Sequence, residues 1–219
     1  MRLGRNSFAL ALVAQSLASL AGCGADAAQA KSPGWLADTN GDKNASSGVE
    51  AERFFPLVDG HIYNYRTTQL GDAGAQAGML MLRVHRQSAT VGELRRPVGT
   101  QRFEYGPLGV GTSTKTGNPA YLFKWPPSPE ARWLGPQGGE SRVTATDVAV
   151  TTPAGSYQGC MTLLEERRGD VRTRISTTLC PDVGIVALEV ESGGAVERAE
   201  LVYYGPPFDV GPEGTRRVE

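Results

Sequence analysis

Short runs in which apolar and polar side chains alternate fill residues 53 to 204, and Gly, Pro or Asp bounds each run. This period of two is typical of strands with one buried face, and the region carries no sustained helical period. The runs are 61–68, 78–86, 101–105, 120–125, 141–151, 157–166, 171–180, 184–192 and 195–204. The sequence therefore predicts an all-β fold, an antiparallel meander that forms a curled sheet or half-barrel, in one domain over residues 53–207.

The last two runs test this prediction, because a two-residue turn at Gly193-Gly194 fixes which residues face each other. Leu188 then lies opposite Ala199, and Glu189 lies opposite Arg198. Apolar side chains meet on one face, and an acid meets a base on the other. This is the pattern of a sheet with one buried face and one solvated face.

The hairpin before it contains two cysteines. If Cys160 lies opposite Cys180, Glu166 faces Arg174, and the two cysteines come within the distance that a disulfide tolerates. An oxidising compartment favours the bond. A two-residue turn at Gly169-Asp170 would shift the register by one and separate the cysteines. A three- or five-residue loop there restores the pairing, so we expect a disulfide and a loop of that kind.

The chain begins with a segment that has the features of an export signal. Two arginines precede an apolar stretch at 8–20, which is 13 residues long and shorter than the roughly 20 residues that span a bilayer. The stretch ends in Leu20-Ala21-Gly22-Cys23, which resembles the lipobox of bacterial lipoproteins. The resemblance implies that residues 1–22 are removed and that Cys23 is lipidated. Ordinary cleavage close to this point would instead leave Cys23 as a free thiol.

Lipidation would make the membrane a partner of the protein, since two or three acyl chains anchor durably where one holds only marginally. Gly24, rather than Asp, follows the cysteine. By resemblance to Gram-negative sorting signals, this indicates the outer membrane, with the domain facing the periplasm. Residues 23–52 are rich in Ala, Gly, Ser, Asp and Asn, which favours a flexible linker. Residues 208–219 are expected to form a C-terminal tail.

Charge and motifs argue against several classes of function. Two of the 22 Lys and Arg residues lie in the leader, so the mature chain has 20 basic and 23 acidic side chains. The basic residues are scattered among the acidic ones and form no positive cluster, so no nucleic acid partner is predicted. Gly109–Thr116 approaches a phosphate-binding loop, but Thr114 replaces the required glycine, and we expect a polar loop between strands. No catalytic motif, metal site or cofactor is predicted.

Three phrases of the chain, at 54–65, 152–160 and 180–186, resemble recurring phrases of a group of bacterial lipoproteins and periplasmic β proteins. In that group they run Phe-x-Pro-Leu-x-x-Gly-x-x-Trp-x-Tyr, Val-Pro-Ala-Gly-x-Phe and Ala-Pro-Gly-Val-Gly-Leu-Val. Tyr63 stands here for the tryptophan, and Asp182 for the first glycine of the third phrase. The resemblance implies a curled antiparallel sheet or half-barrel, similar to periplasmic lipoprotein carriers, with no assigned activity.

These features favour a noncatalytic envelope lipoprotein whose β domain is a binding or scaffolding surface for a protein, a lipid or an apolar ligand. Tyr121, Phe123, Trp125 and Trp133 form the most aromatic exposed-loop candidate, and they are the predicted contact residues. In the alternative interpretation, the two tryptophans cover one end of the core.

A hydrolase that acts on cell-envelope material is the alternative function. It would need acids paired across the inner face of the sheet. The candidates Asp147, Glu165 and Glu189 are scattered by the strand alternation. A cavity lined by aliphatic side chains would favour a carrier, and converging carboxylates would favour the hydrolase.

Overall fold

The computed structural model describes residues 45–71, 74–97, 99–211 and 214–217. The signal peptide, Cys23 and the predicted linker as far as residue 44 lie outside the described residues. The helix is α1 (Ala45–Phe54), and the strands are β1 (Ile62–Gly71), β2 (Gly74–Arg86), β3 (Val91–Arg96), β4 (Gly99–Gly106), β5 (Gly109–Ser113), β6 (Pro119–Lys124), β7 (Trp133–Leu134), β8 (Glu140–Thr152), β9 (Gly155–Arg167), β10 (Thr173–Cys180), β11 (Gly184–Ser192), β12 (Ala195–Gly205), β13 (Phe208–Gly211) and β14 (Gly214–Arg217). The predicted all-β class is confirmed.

Twelve of the strands form one antiparallel sheet in the order β6-β5-β4-β3-β2-β1-β12-β11-β10-β9-β8-β7. Each half of the sheet is a meander of consecutive hairpins, and the pairing of β1 with β12 joins the halves. The two outermost strands, β6 and β7, approach each other, because the Trp133 indole Nε1 donates a hydrogen bond of 3.1 Å to the carbonyl oxygen of Tyr121. The predicted curled meander is therefore confirmed as a nearly closed, barrel-like sheet.

The pairing of β11 with β12 has the register that the Gly193-Gly194 turn predicts. Leu188 lies opposite Ala199, and Glu189 lies opposite Arg198. Ala199 is buried, while the Arg198 guanidinium forms an ion pair with Glu189 on the outer face. One face of this hairpin thus contributes to the core, and the other carries paired charges.

The hairpin of β9 and β10 also has the predicted register. Glu166 lies opposite Arg174, and five residues separate Arg167 from its partner Thr173. A loop of this length keeps the two cysteine positions on the same face. The disulfide between Cys160 and Cys180 is present, and both cysteines are fully buried in the core.

Three segments differ from the sequence-based expectation. The last part of the predicted linker, 45–52, belongs to α1, and Ala51 of this helix is fully buried. The predicted tail contains the small hairpin of β13 and β14. The expected polar loop after residue 109 is strand β5, whose Val110 is buried. In each case, pairing or packing with another element supplies an order that composition does not indicate. Among the described residues, no helix is long and apolar enough to cross a membrane.

The segment that follows α1 closes one end of the barrel. Phe55 and Leu57 are buried there, and the Phe55 ring packs edge-on against Phe103 with the ring centroids 4.8 Å apart. The Tyr105 hydroxyl donates a hydrogen bond of 2.5 Å to the carbonyl oxygen of Phe55, and it accepts one of 3.1 Å from the backbone N–H of Leu57. We call residues 45–57 the plug.

Further bonds join the plug to other strands. The carbonyl oxygen of Pro56 accepts hydrogen bonds from the Tyr63 and Tyr204 hydroxyls, at 3.0 Å and 3.1 Å. The Arg53 carbonyl accepts the N–H of Asp182, and the two side chains form an ion pair. The plug is therefore fixed to strands from both halves of the sheet, as a closure of this end requires.

A variant at Tyr105 tests how much the plug contributes. Tyr105→Phe keeps the ring but removes the hydroxyl, and it leaves the Phe55 carbonyl and the Leu57 N–H buried without that partner. We expect the free energy of unfolding to fall by about 1–3 kcal/mol, the usual cost of a buried unsatisfied polar group. Urea unfolding of the variant and of a Tyr203→Phe control, whose hydroxyl donates to Pro206 outside the plug, measures the difference. An equal effect of the two substitutions would contradict the proposed contribution.

Candidate functional site

An apolar cavity of about 100 Å³ lies inside the barrel, beyond the plug. Phe103 and Tyr65 line it on the plug side, and Phe103 also packs against Phe55. Six leucines from five strands supply most of the wall: Leu80, Leu82, Leu94, Leu122, Leu163 and Leu188. The cavity is thus a gap in the core that the inward-facing side chains do not fill.

Strand alternation explains why these side chains line the cavity. On β2, Leu80 and Leu82 face inward, opposite Tyr65 and Tyr63 of β1. Between and beside them, Met81 and Met79 face outward and are 57% and 62% exposed. The wall of the cavity therefore follows directly from the period of two in the sequence.

The wall is incomplete beside β2. Arg83 is the first residue of β2 that pairs with β3, so residues 74–82 pair only with β1. Leu80 on this stretch and Leu188 on β11 both line the cavity, yet each is only partly buried. Solvent therefore reaches these inward-facing side chains. We call this opening, at the end of the barrel opposite the plug, the mouth.

A few polar side chains, among them Gln101, Ser141 and Glu165, line the cavity on the side away from the plug. The Gln101 amide Nε2 donates a hydrogen bond of 2.5 Å to the Thr112 hydroxyl, which donates in turn to the carbonyl oxygen of Arg102. Ser141 lies opposite Glu165 where β8 pairs with β9. Apolar surface with a few placed polar groups is the usual composition of a small-molecule site.

Glu165 is the buried acid of the cavity, only 6% exposed. Its Oε1 accepts hydrogen bonds from the backbone N–H groups of Gln137 and Gly139, at 2.9 Å and 2.8 Å. Burial raises the pKa of Glu165 to about 7, and the two hydrogen bonds and the positive charge of Arg167 oppose this shift. The carboxyl group is therefore engaged by the turn between β7 and β8.

That turn depends on its glycines. A Cβ atom at Gly135 would collide with the Ser141 hydroxyl and the Glu165 carboxyl, and one at Gly139 would lie 2.7 Å from the carbonyl oxygen of Glu166. Only glycine lets the turn approach β9 this closely. The turn thus holds the Glu165 carboxyl in place at the wall of the cavity.

The predicted aromatic contact residues lie elsewhere in the barrel. Phe123 and Trp133 are buried, so the prediction that they form an exposed contact surface is corrected. Tyr121 and Trp125 are partly buried and pack against the core, Trp125 beside Phe54 of the plug. The pairing of β6 with β5 shifts register between Tyr121 and Phe123, and this irregularity buries Phe123 next to the inward-facing Leu122. The contact of β7 with β6 buries Trp133. The alternative interpretation, in which Trp125 and Trp133 cover the core, describes this placement better.

The three candidate acids of the hydrolase hypothesis do not converge. Glu165 lines the cavity, Glu189 pairs with Arg198 on the outer face, and Asp147 is exposed on β8. In the described part of the chain, no group of three or more His, Cys, Asp or Glu side chains is arranged to hold a metal ion. Sequence reasoning had named Glu165 as an acid, but its partners in the turn carry no sequence signal beyond the glycines.

The chain is similar to two solved structures. No protein-family model matches the chain, and no curated protein matches it significantly. An inferred lipoprotein from Parabacteroides distasonis is 13% identical, with a TM-score of 0.45, over 69% of this chain and 98% of the other. An inferred exported protein with a YmcC-like fold from Bacteroides fragilis is 14% identical, with a TM-score of 0.44 and the same coverage.

The raised pKa of Glu165 predicts a pH dependence of stability. Its folded-state pKa of about 7 exceeds the ordinary value of 4.5, so the folded protein binds the proton more tightly than the unfolded chain does. The stability that this provides is complete below about pH 4.5 and is lost as the pH rises through 7, by up to about 3 kcal/mol. Glu165→Gln should remove this component when urea unfolding is measured across that range.

The neighbouring acid supplies a control of opposite sign. Ion pairs with Arg172 and Arg142 lower the pKa of Glu166, so its contribution is lost as the pH falls. Glu166→Gln should therefore remove stability at neutral pH and none in acid. Parallel pH profiles for the wild type and Glu165→Gln would contradict the account of Glu165.

Proposed function

We propose that this protein is a noncatalytic, lipid-anchored envelope protein whose β domain binds an apolar ligand in the cavity of its barrel. The observation that carries the proposal is the aliphatic wall: six leucines surround a gap that opens to solvent at the mouth. A core that served stability alone would lose free energy by leaving this volume empty. An apolar ligand that fills the gap would restore those contacts.

The size of the cavity limits what enters it. A cavity of about 150 Å³ holds a molecule of benzene, so about 100 Å³ accepts a short segment of aliphatic chain. Each methylene group moved from water into this wall contributes about 0.8 kcal/mol. The end of an alkyl or acyl chain fits both the size and the lining.

The other functions considered have less support. A scaffolding surface made of the four aromatic residues conflicts with the burial of Phe123 and Trp133. A hydrolase with two carboxyl groups needs a second acid beside Glu165, and no other described residue that lines the cavity has one. The Glu165 carboxyl already accepts two backbone hydrogen bonds. No observation favours a catalytic role for it.

The proposed location is the outer membrane, with the barrel in the periplasm. The support is the lipobox-like segment at 20–23 and the glycine that follows it. The disulfide of the core fits an oxidising compartment such as the periplasm. Residues 23–44 would then join the lipidated cysteine to the plug.

The anchor is tested by one substitution. Cys23→Ser removes the sulfur that would carry the lipid, and we expect the protein to move from the membrane fraction to the soluble periplasmic fraction. A chain with both Cys160→Ser and Cys180→Ser should stay in the membrane fraction, since the anchor is intact. Fractionation and immunoblotting measure where each variant is found. Finding the Cys23→Ser protein in the membrane fraction would overturn the proposed anchoring.

Ligand binding is tested with decanol, a neutral amphiphile with a single chain. Leu80→Trp adds bulk inside the cavity, whereas Met81→Trp adds the same ring to the outer face of the same strand. We expect Leu80→Trp to weaken decanol binding at least about tenfold, a loss of about 1.4 kcal/mol, while Met81→Trp leaves it unchanged. Titration calorimetry measures both, and circular dichroism verifies the fold. Equal affinity in the two variants, or no binding to the wild type, would refute the proposal.

A further inference from the structure

Three basic side chains lie close together at the end of the barrel that contains the mouth. Arg96 is the last residue of β3, Lys115 lies in the turn between β5 and β6, and Arg167 is the last residue of β9. All three positions are at the end of the barrel opposite the plug. We call these three residues the basic cluster.

Strand alternation connects the basic cluster to the cavity. Arg96 is two residues beyond Leu94, and Arg167 is two residues beyond Glu165. Leu94 and Glu165 both line the cavity, so Arg96 and Arg167 belong to the same inner faces of their strands. The two arginines therefore continue the cavity wall from its apolar part to the mouth.

The members of the basic cluster are close enough to interact. Burial lowers the pKa of Lys115, and the positive charges of Arg167 and Arg96 lower it further. The Arg96 Nε atom is buried and has no hydrogen-bond partner among the described residues. Arg96 is half-buried, while Lys115 and Arg167 are exposed. The repulsion between these like charges falls when an anion from solvent binds between them.

Carboxylates of the described residues do not neutralise the basic cluster. Arginines on the outer face pair with glutamates, as Arg66 does with Glu200 and Arg198 with Glu189. In the described part of the chain, no such ion pair forms at Arg96, Lys115 or Arg167. Two buried acids share the inner face. Glu165 attracts Arg167 electrostatically, but its Oε1 is bonded to the turn. The second buried acid, Glu197, lies on β12 opposite Val190, and it forms no ion pair with another described residue.

We propose that the ligand of the cavity is an amphiphile with an anionic head group, whose chain end enters the leucine-lined gap while its carboxylate or phosphate binds the basic cluster at the mouth. This inference rests on the proposed function and adds the chemical class of the ligand. Arg side chains bind either anion through paired N–H donors, and a Lys ammonium adds a point charge. The apolar wall lies inside the barrel and the cations lie at its open end. This arrangement fits a molecule whose chain enters the barrel and whose charged head group stays at the opening.

The test compares three probes with one chain length: decanoate, decyl phosphate and decanol. The two anions should bind the full-length protein about tenfold to a hundredfold more tightly than decanol, as expected for charge-assisted hydrogen bonds. Their affinity should fall with added salt, while that of decanol should not. The double variant Lys115→Gln with Arg167→Gln, which keeps only Arg96 of the cluster, should lower the affinities of the two anions toward that of decanol. Titration calorimetry below micelle-forming concentrations measures each of them.

A matched control removes the same charge elsewhere. Arg168→Gln with Lys124→Gln also loses two cations, one exposed beyond β9 and one at the plugged end of the barrel, and it should keep the preference for anions. Equal binding of the three probes to the wild type would overturn this inference and leave the proposed function standing. Binding of none would overturn both. Inorganic phosphate that binds as tightly as decyl phosphate would identify a free-anion site and also overturn the inference.

Discussion

The structure depends on how a nearly closed sheet covers its own inner face. Twelve antiparallel strands form one sheet whose inner face is apolar. Water has to be excluded from this inner face at both ends of the barrel. The plug solves this at one end, where Phe55 and Leu57 are buried and the Tyr105 hydroxyl binds their backbone. Its hydrogen bonds reach strands of both halves of the sheet, so the plug also fixes the spacing of the halves. No comparable segment covers the other end among the described residues.

The difference between the ends explains where a site forms. Near the plug, aromatic rings fill the barrel, with Tyr63 stacked on Tyr204 at 4.5 Å between centroids. Further along, the inner residues are mostly leucines, which are too short to meet across the barrel. A cavity results without a strained backbone or a special motif. Its polar groups are held by local hydrogen bonds, such as those of the turn between β7 and β8 to Glu165.

The sequence was informative wherever the chemistry was local. Alternation and glycine turns predicted the main strands. The Gly193-Gly194 turn predicted the register of the β11–β12 hairpin, and the pairing of Cys160 with Cys180 predicted that of the β9–β10 hairpin. Strands β3 and β5 were missed because glycine takes buried positions in both and breaks the apolar alternation, and β7, β13 and β14 were missed because they have only two to four residues. Their order comes from pairing with neighbours. The cavity was equally out of reach, since it depends on how far side chains extend across the barrel.

The order of anchor, plug and mouth bears on how a ligand would reach the cavity. The described chain enters the barrel at the plugged end, so the mouth lies at the end away from the proposed anchor. Strands β8 and β9 have 13 residues each and are about 44 Å long, and the barrel is shorter than these strands because strands tilt against the axis of a barrel. The 22 residues from Cys23 to residue 44 span at most about 75 Å when fully extended. Because this reach exceeds the barrel length, anchoring at the plugged end does not keep the mouth from the membrane surface, where single-chain amphiphiles concentrate.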